Sequence, residues 1–467
     1  MHHMSPDEFR RHGRAVVDWI ADYWEGLQHL PVTPGREPGA TAALLPDTAP
    51  ETGEPFDDLL ADMDRVVVPG TVHWQHPGFL GYFPMTTSGP AVLAELLAAG
   101  LNTQGMLWST SPAAAEIEAR VSDWLAELMD LPESFRGNGV IQDTASTGVL
   151  LALIAARTRA ERDGAGPYVV YTSEDGNACI TKAARVLGIP DAHLRRVPVA
   201  AWTRAMDPAD LAARIGADRA AGLTPLAVVA TVGTTATTAV DPLDAIGVIC
   251  REQGVWLHVD AAYAGVAAIC PEMRWIHRGL DQADSYSTNP HKWLLTGLEC
   301  SLTYFADPAP LHQAMRVTAA YLHDRGEARI DYQDWQIPLG KRFRALKLWF
   351  VLRAYGREGL QRHLREGIAC AEELASWIEA DERFELAAPH PFGLVCFRHR
   401  AGDGAGRELL ARVNADRRLF LTSTESDGRF LLRIAAGGTA TTSESLKAAW
   451  QRISQTADQV TTAADPV

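Results

Sequence analysis

Only five lysines (Lys182, Lys292, Lys341, Lys347 and Lys447) occur in a chain whose basic residues are otherwise arginines. Lys292 is the one whose setting suggests chemistry: in Asn289-Pro-His-Lys-Trp-Leu-Leu295 it precedes three apolar residues. An ammonium drawn into apolar surroundings is disfavoured, so its pKa falls and the amine becomes a nucleophile able to condense with an aldehyde. The alternative is a surface lysine whose stem merely covers those neighbours.

Two further segments complete a pattern. In Trp256-Leu-His-Val-Asp-Ala-Ala-Tyr263 an apolar run ends on Asp260, 32 residues before Lys292. A carboxylate there could pair with a basic ring nitrogen and keep it protonated, and Ala262 is small enough for a ring to lie against the backbone. Gln142-Asp-Thr-Ala-Ser-Thr-Gly148 leads into the apolar stretch Val149–Ala156. Ser146 and Thr147 either cap that helix or help present its N–H groups to a phosphate, with Ala145 permitting close approach. No GxGxxG or Walker sequence is present, which disfavours a nucleotide. An amine for an aldehyde, an acid for a ring nitrogen and a helix start for a phosphate together describe a site for pyridoxal 5′-phosphate, held as a Schiff base on Lys292.

The elements that must position these groups read as α/β. Helices are predicted at 88–100, 112–130, 147–163, 176–188, 208–222 and 242–253. Strands are predicted at Tyr168–Thr172, Leu226–Thr231, Val255–Val259, Ser285–Ser287 and Leu302–Phe305. Short strands buried on both faces between helices indicate a mainly parallel sheet, which binds ligands beyond the carboxyl ends of its strands. Before it, residues 5–29 read as an amphipathic helix followed by an extended connector over 31–55. After it, helices near 346–355 and 357–380, strands at Leu394–Arg398 and Phe430–Ile434 and a helix at 442–457 form a smaller α+β unit. The expected division is 1–84, 85–345 and 346–467. The N-terminal apolar stripe needs a cover, either a second subunit or the chain's own surface.

Composition narrows the function class. A net charge of −15 argues against nucleic-acid or anionic-membrane partners. No apolar run reaches the roughly 20 residues that span a bilayer, and no secretory h-region is seen. Six scattered cysteines without a CxxC pair fit reduced thiols rather than disulfides or a metal site, so the expected compartment is the cytoplasm.

From about residue 7 to 455 the chain resembles the aromatic-L-amino-acid decarboxylases, group II enzymes of pyridoxal-phosphate fold type I, whose large domain is aspartate-aminotransferase-like. The segments carrying the resemblance are Phe9-Arg-Arg-His-Gly13, His73-Trp-Gln-His-Pro77, Trp256 to Gly265, Asn289 to Leu295, Trp335-Gln-Ile-Pro-Leu-Gly340 and Lys347-Leu-Trp-Phe350. The resemblance implies a homodimer clasped by the N-terminal segment, with Lys292 carrying the cofactor and Asp260 its pyridinium. It places Ala145, Ser146, Asn289 and His291 at the phosphate and Thr235 near the ring's phenolic side. Trp74, Tyr82, Phe83 and Pro84 match substrate-pocket positions. Tyr321 matches the tyrosine of a mobile loop that reprotonates the carbanion, and the loop here, Tyr321 to Tyr332, is a few residues shorter than in the family.

The departures from the family pattern bear on product and substrate. Asn177, in Tyr171-Thr-Ser-Glu-Asp-Gly-Asn-Ala-Cys-Ile180, stands where the family usually stacks a histidine over the cofactor ring. Asparagine offers neither an aromatic face nor a proton that titrates near neutrality. Relatives with asparagine there consume O2 and release an aldehyde, ammonia and peroxide instead of an amine, although ordinary decarboxylation at a changed rate is equally compatible. Gln104 and Met106 replace apolar and aromatic residues contributed across the dimer, and Gly340 falls where small size accompanies room for an indole. The implied activity is decarboxylation of an aromatic L-amino acid (tryptophan, phenylalanine, tyrosine or DOPA class) to its amine, with the aldehyde synthase as alternative. An aminotransferase and a non-catalytic scaffold of the same fold are the other readings.

Overall fold

The short apolar runs become buried strands, and the amphipathic stretches between them become the helices that cover the sheet. The computed structural model describes residues 3–161, 166–317 and 330–460. At its centre is a seven-stranded sheet of β1 (Gly139–Gln142), β2 (Tyr168–Ser173), β3 (Leu194–Val197), β4 (Thr224–Thr231), β5 (Trp256–Asp260), β6 (Ser285–Thr288) and β7 (Ser301–Phe305). The spatial order is β1-β7-β6-β5-β4-β2-β3, with β7 alone running against the others. Strands β4, β5 and β6 are buried almost residue for residue, which is why they read as continuous apolar runs and not as alternation. The sequence pattern misses β1 and β3, each four residues long and too short for a period to register.

Helices α1 (Pro6–Gly26) and α2 (Phe56–Asp62) precede α3 (Gly89–Leu101), α4 (Pro112–Leu128), α5 (Ala145–Ala160), α6 (Ala178–Val186), α7 (Pro208–Ala220) and α8 (Leu243–Gln253). The short α9 (Pro290–Trp293) and α10 (Ala309–Met315) complete this part. Helix α5 is apolar nearly all round, as a helix laid across a sheet inside a core must be. Gly148 sets how close it lies: a Cβ there would come within 2.5 Å of Ser287 Oγ and 2.6 Å of Thr303 Oγ1.

Beyond the sheet, α11 (Ala345–Glu379) is interrupted at Gly356, whose φ of 61° breaks the helical path. The two helices read from the sequence are thus the two halves of α11. A second, antiparallel sheet of β8 (Phe384–Leu386), β9 (Leu394–His399), β10 (Thr422–Ser426) and β11 (Arg429–Ala435), ordered β10-β11-β9-β8, packs with α12 (Asp403–Ala415) and α13 (Ser443–Ala457). Strands β8 and β10 and helix α12 lack a sequence signal strong enough to predict.

At the other end, Ser5 and Glu8 form a capping box that starts α1. The chain's own surface does not fully cover the α1 stripe: Phe9 stays 58 % exposed, and Val17 and Trp24 are exposed as well. Among the described residues no helix is long and apolar enough to cross a membrane.

Candidate active site

Parallel strands deliver their last residues to one edge of the sheet. Thr231 ends β4 and pairs in register with Asp260 at the end of β5, which pairs in turn with Ser287 on β6. From β6 the chain passes through Asn289 into α9, one turn that carries His291 and Lys292 over the same edge. The amide of Thr86 donates to the Lys292 carbonyl at 3.1 Å, tying the 82–88 segment to this turn.

These groups face a cavity of about 280 Å³. Its wall brings together Ala145, Ser146, Asn177, Thr235, Asp260, Ala262, Asn289, His291 and Lys292, nine residues predicted from five separate parts of the chain. It also includes Thr231, expected there from its place at the end of a predicted strand, and Met85, Thr144, Cys179, Gly233, Tyr263 and Leu298, which were not predicted. Gly233 was findable in principle, since a glycine just past a predicted strand end often marks a close backbone approach. Here its φ is +86° and a Cβ would meet Ala264 at 2.6 Å.

Burial governs the electrostatics. It depresses the Lys292 pKa below that of an ordinary lysine, with Asp260 partly opposing, so the nucleophilic amine is favoured. Burial also raises the Asp260 carboxyl, against the pull of Lys292 and of the Ala262 N–H, which donates to Asp260 Oδ1 at 3.1 Å. A carboxylate so desolvated gains from a fixed cation such as a protonated ring nitrogen. Phe83 stacks on Tyr263 at 3.9 Å and lies 5.4 Å from Lys292 Nζ, so an aromatic wall stands beside the amine.

Helix α5 also begins at this cavity. Its N-cap is Thr144, whose side chain makes no capping bond, so Ser146 and Thr147 are first-turn residues, a correction to the capping role expected of them. Successive helical residues point about 100° apart, and the pair separates accordingly. Ser146 lines this cavity, whereas Thr147 lines another of about 590 Å³. His291 Nδ1 accepts the Cys300 N–H at 2.9 Å, which places the proton of the neutral ring on Nε2. Burial brings its pKa down to about 4, so His291 is a neutral donor at physiological pH. Thr231 Oγ1 and Asn289 Oδ1 are buried without a partner among the described residues. An amine, a desolvated acid, an open helix start and a neutral imidazole N–H fit pyridoxal phosphate by donor and acceptor type.

Asn177 is the N-cap of α6: its Oδ1 accepts the Cys179 N–H at 2.9 Å, and its Nδ2 donates to Thr235 Oγ1, also at 2.9 Å. Phe83 and Pro84 are buried, while Tyr82 is 52 % exposed and stacks on Trp74 at 5.6 Å. Trp74 lines a cavity of about 530 Å³ that shares Met85 and Leu298 with the first. Gln104 and Gly340 are not brought to the Lys292 cavity within this chain; they line the separate cavity that Thr147 faces. Met106 is not brought there either, and its carbonyl accepts the Gln333 N–H at 3.0 Å. Tyr321 lies outside the described residues.

Residues 38–400 match the pyridoxal-dependent decarboxylase conserved domain. The chain is 39 % identical to the aromatic-L-amino-acid decarboxylase of Rattus norvegicus, with 98 % of this chain and 99 % of the relative aligned. It is 41 % identical to the phenylacetaldehyde synthase of Arabidopsis thaliana, over 97 % of this chain and 96 % of that one. The crystal structure of Oryza sativa TDC with PLP and tryptamine superposes with a TM-score of 0.96 at 38 % identity, covering 98 % of this chain and 99 % of that one.

Proposed function

The chain belongs to the pyridoxal-dependent decarboxylase family, and from that premise we propose that it removes the α-carboxylate of an aromatic L-amino acid and releases the amine. The observation that carries this reading is the desolvated pair of Lys292 and Asp260 facing one cavity with the start of α5. The substrate class follows from relatives that are aromatic-amino-acid and tryptophan decarboxylases.

Pyridoxal 5′-phosphate supplies an electron sink for the pair released when the Cα–carboxylate bond breaks. Lys292 Nζ would be the amine that holds the cofactor aldehyde. Asp260 holds a proton on the ring nitrogen, and Ala262 gives the ring room against the backbone. Ser146, the Ala145 backbone, Asn289 and the Nε2–H of His291 hold the phosphate. Trp74, Tyr82, Phe83 and Pro84 frame the substrate side chain, and Tyr321 returns a proton to Cα. Among the described residues that line the cavity none is an arginine. That favours decarboxylation over transamination, because a cation clamped on the α-carboxylate would stabilise the ground state more than a transition state losing that charge.

A homodimer accounts for two features at once. It covers the exposed α1 stripe and the neighbouring leucines Leu93, Leu97 and Leu101 of α3. It would also bring Gln104, Met106 and Gly340 to the partner's cavity, which they do not reach in their own chain. The division 1–84, 85–345 and 346–467 is supported by the change from one sheet to the other near α11. A cytoplasmic location is supported by six cysteines that are all free and buried.

Asn177 favours a second reading, the aldehyde synthase, which also matches the activity named for the Arabidopsis relative. The Asn177 amide does not titrate near neutrality, so it supplies no acid to protonate a carbanion. The overall reaction would take one O2 and one water per amino acid and release the aryl acetaldehyde, CO2, ammonia and hydrogen peroxide. Incubating the holoenzyme under air with tryptophan, phenylalanine, tyrosine or DOPA, and assaying CO2, amine and peroxide together, tests both. Amine equal to CO2 without peroxide supports the decarboxylase; peroxide equal to CO2 supports the synthase; no CO2 from any of the four contradicts both.

A further inference from the structure

Arg433 sits on β11 of the C-terminal sheet, is 4 % exposed, and does not line the Lys292 cavity. The titratable groups acting on it most are Cys396, Tyr263 and Tyr82, and among the described residues no carboxylate pairs with it. A buried guanidinium without a counter-ion is costly unless fixed dipoles solvate it. Here oxygens from three parts of the chain do so. Nε donates to the Ala236 carbonyl at 2.9 Å, and Nη2 to the carbonyls of Thr235 at 2.7 Å and Tyr82 at 3.4 Å. Nη1 donates to Thr422 Oγ1 at 2.9 Å, which also accepts the Tyr82 N–H at 3.1 Å.

We propose that Arg433 is a positioning residue that fixes two walls of the catalytic cavity from the C-terminal sheet. One wall is the turn after β4, where Thr235 gives its carbonyl to Arg433 and takes the Asn177 amide on its hydroxyl. The other is the segment Tyr82–Pro84, whose Phe83 ring lies 5.6 Å from the guanidinium and 5.4 Å from Lys292 Nζ. A hydrogen-bonded chain thus runs from β11 through Thr235 to Asn177, so the seating of the C-terminal sheet sets how that amide faces the cofactor. Lysine cannot reproduce this, because a single ammonium lacks the planar fork that reaches three segments. The inference rests on the decarboxylase reading for its kinetic readout only.

The test uses holoenzyme carrying Arg433→Lys, Arg433→Gln, Asn177→Ala and the combination of Arg433→Lys with Asn177→Ala. The visible absorbance and circular dichroism of bound pyridoxal phosphate are followed together with kcat and KM per bound cofactor. Arg433→Lys is expected to shift the cofactor band and lower kcat/KM at least tenfold. Its loss combined with Asn177→Ala should fall at least fivefold short of the product of the single losses, as groups acting through one another do. An unshifted band with losses that multiply overturns the proposal, as does activity that falls only in step with folded protein. Should the Arg433 variants not fold, Thr422→Val frees one arm of the fork, and a band shift with a threefold or larger loss is expected; an unchanged band and rate overturn the proposal. If no amino acid is turned over, the proposed function fails, and the band alone decides the role of Arg433.

Discussion

The Asn177 amide spans two elements: Nδ2 donates to Thr235 Oγ1 at 2.9 Å while Oδ1 caps helix α6 through the Cys179 N–H at 2.9 Å. A side chain engaged at both ends is held in one orientation on the cavity wall. It can shape the face of the cofactor and cannot deliver a proton to it. Replacing it with histidine introduces a ring and a titratable nitrogen at the cost of the cap. Asn177→His is expected to raise the ratio of amine to peroxide, and Asn177→Ala to lower stability by about 1 kcal/mol through loss of the cap. Product ratios and melting curves measure both; a ratio unchanged in the histidine variant removes Asn177 from control of the product.

Asp260 is expected to matter through charge rather than shape. Asp260→Asn keeps the size and removes the counter-charge for the ring nitrogen, so kcat should fall on the order of 100-fold or more, the usual scale for one buried electrostatic partner. The Lys292 ammonium also loses its main support, since Asp260 is the first group raising its pKa. Steady-state kinetics with cofactor saturating would show this, and a variant within threefold of the parent would contradict it.

Gly148 tests the contact that seats helix α5 on the sheet. A Cβ there would press on Ser287 Oγ and Thr303 Oγ1 inside the core, where overpacking costs about 1–3 kcal/mol. Because Ala145 and Ser146 lie on the same helical turn as Gly148, Gly148→Ala should also weaken cofactor binding. Melting and cofactor titration measure the two effects, and a variant of parental stability would show that the helix moves without penalty.

His258 gives a pH dependence whose sign is fixed. It is fully buried on β5, and burial brings its pKa down to about 3 from an ordinary 6.5. Between those values the unfolded chain holds a proton that the folded chain does not. Stability from this group is therefore complete above pH 6.5 and is lost as pH falls, at up to about 1.4 kcal/mol per pH unit. Asp241, raised to about 6 by burial, acts in the opposite sense over part of the same range. The comparison of parent with His258→Asn isolates the histidine: the variant should show a shallower loss of stability on acidification, and identical slopes in denaturant melts would refute it.

Much of the site was legible because parallel strands send their ends to a common edge. An apolar run ending in Asp260 and a strand followed by Lys292 are local signals with one geometric consequence. Asn177 and Thr235 were reached only through the family resemblance, because a cap and a loop threonine carry no chemistry of their own. Ser146 and Thr147 could not be told apart without the true start of α5, since one residue of shift changes which cavity each faces. Met85, Leu298 and Cys179 read as ordinary apolar residues until tertiary packing brings them to the wall. Arg433 was invisible for the strongest reason: three of its four hydrogen-bond partners are backbone oxygens of Tyr82, Thr235 and Ala236, which no side-chain pattern encodes.

Among the five lysines of the chain, Lys292 is the one proposed to hold the cofactor, in the cavity that Asp260 lines. Borohydride reduction of the holoenzyme followed by peptide mapping tests it directly. A pyridoxyl group is expected on the peptide containing Lys292, lost in Lys292→Ala together with the visible cofactor band. A label on Lys341 or Lys347, or a cofactor band that survives in Lys292→Ala, would contradict it.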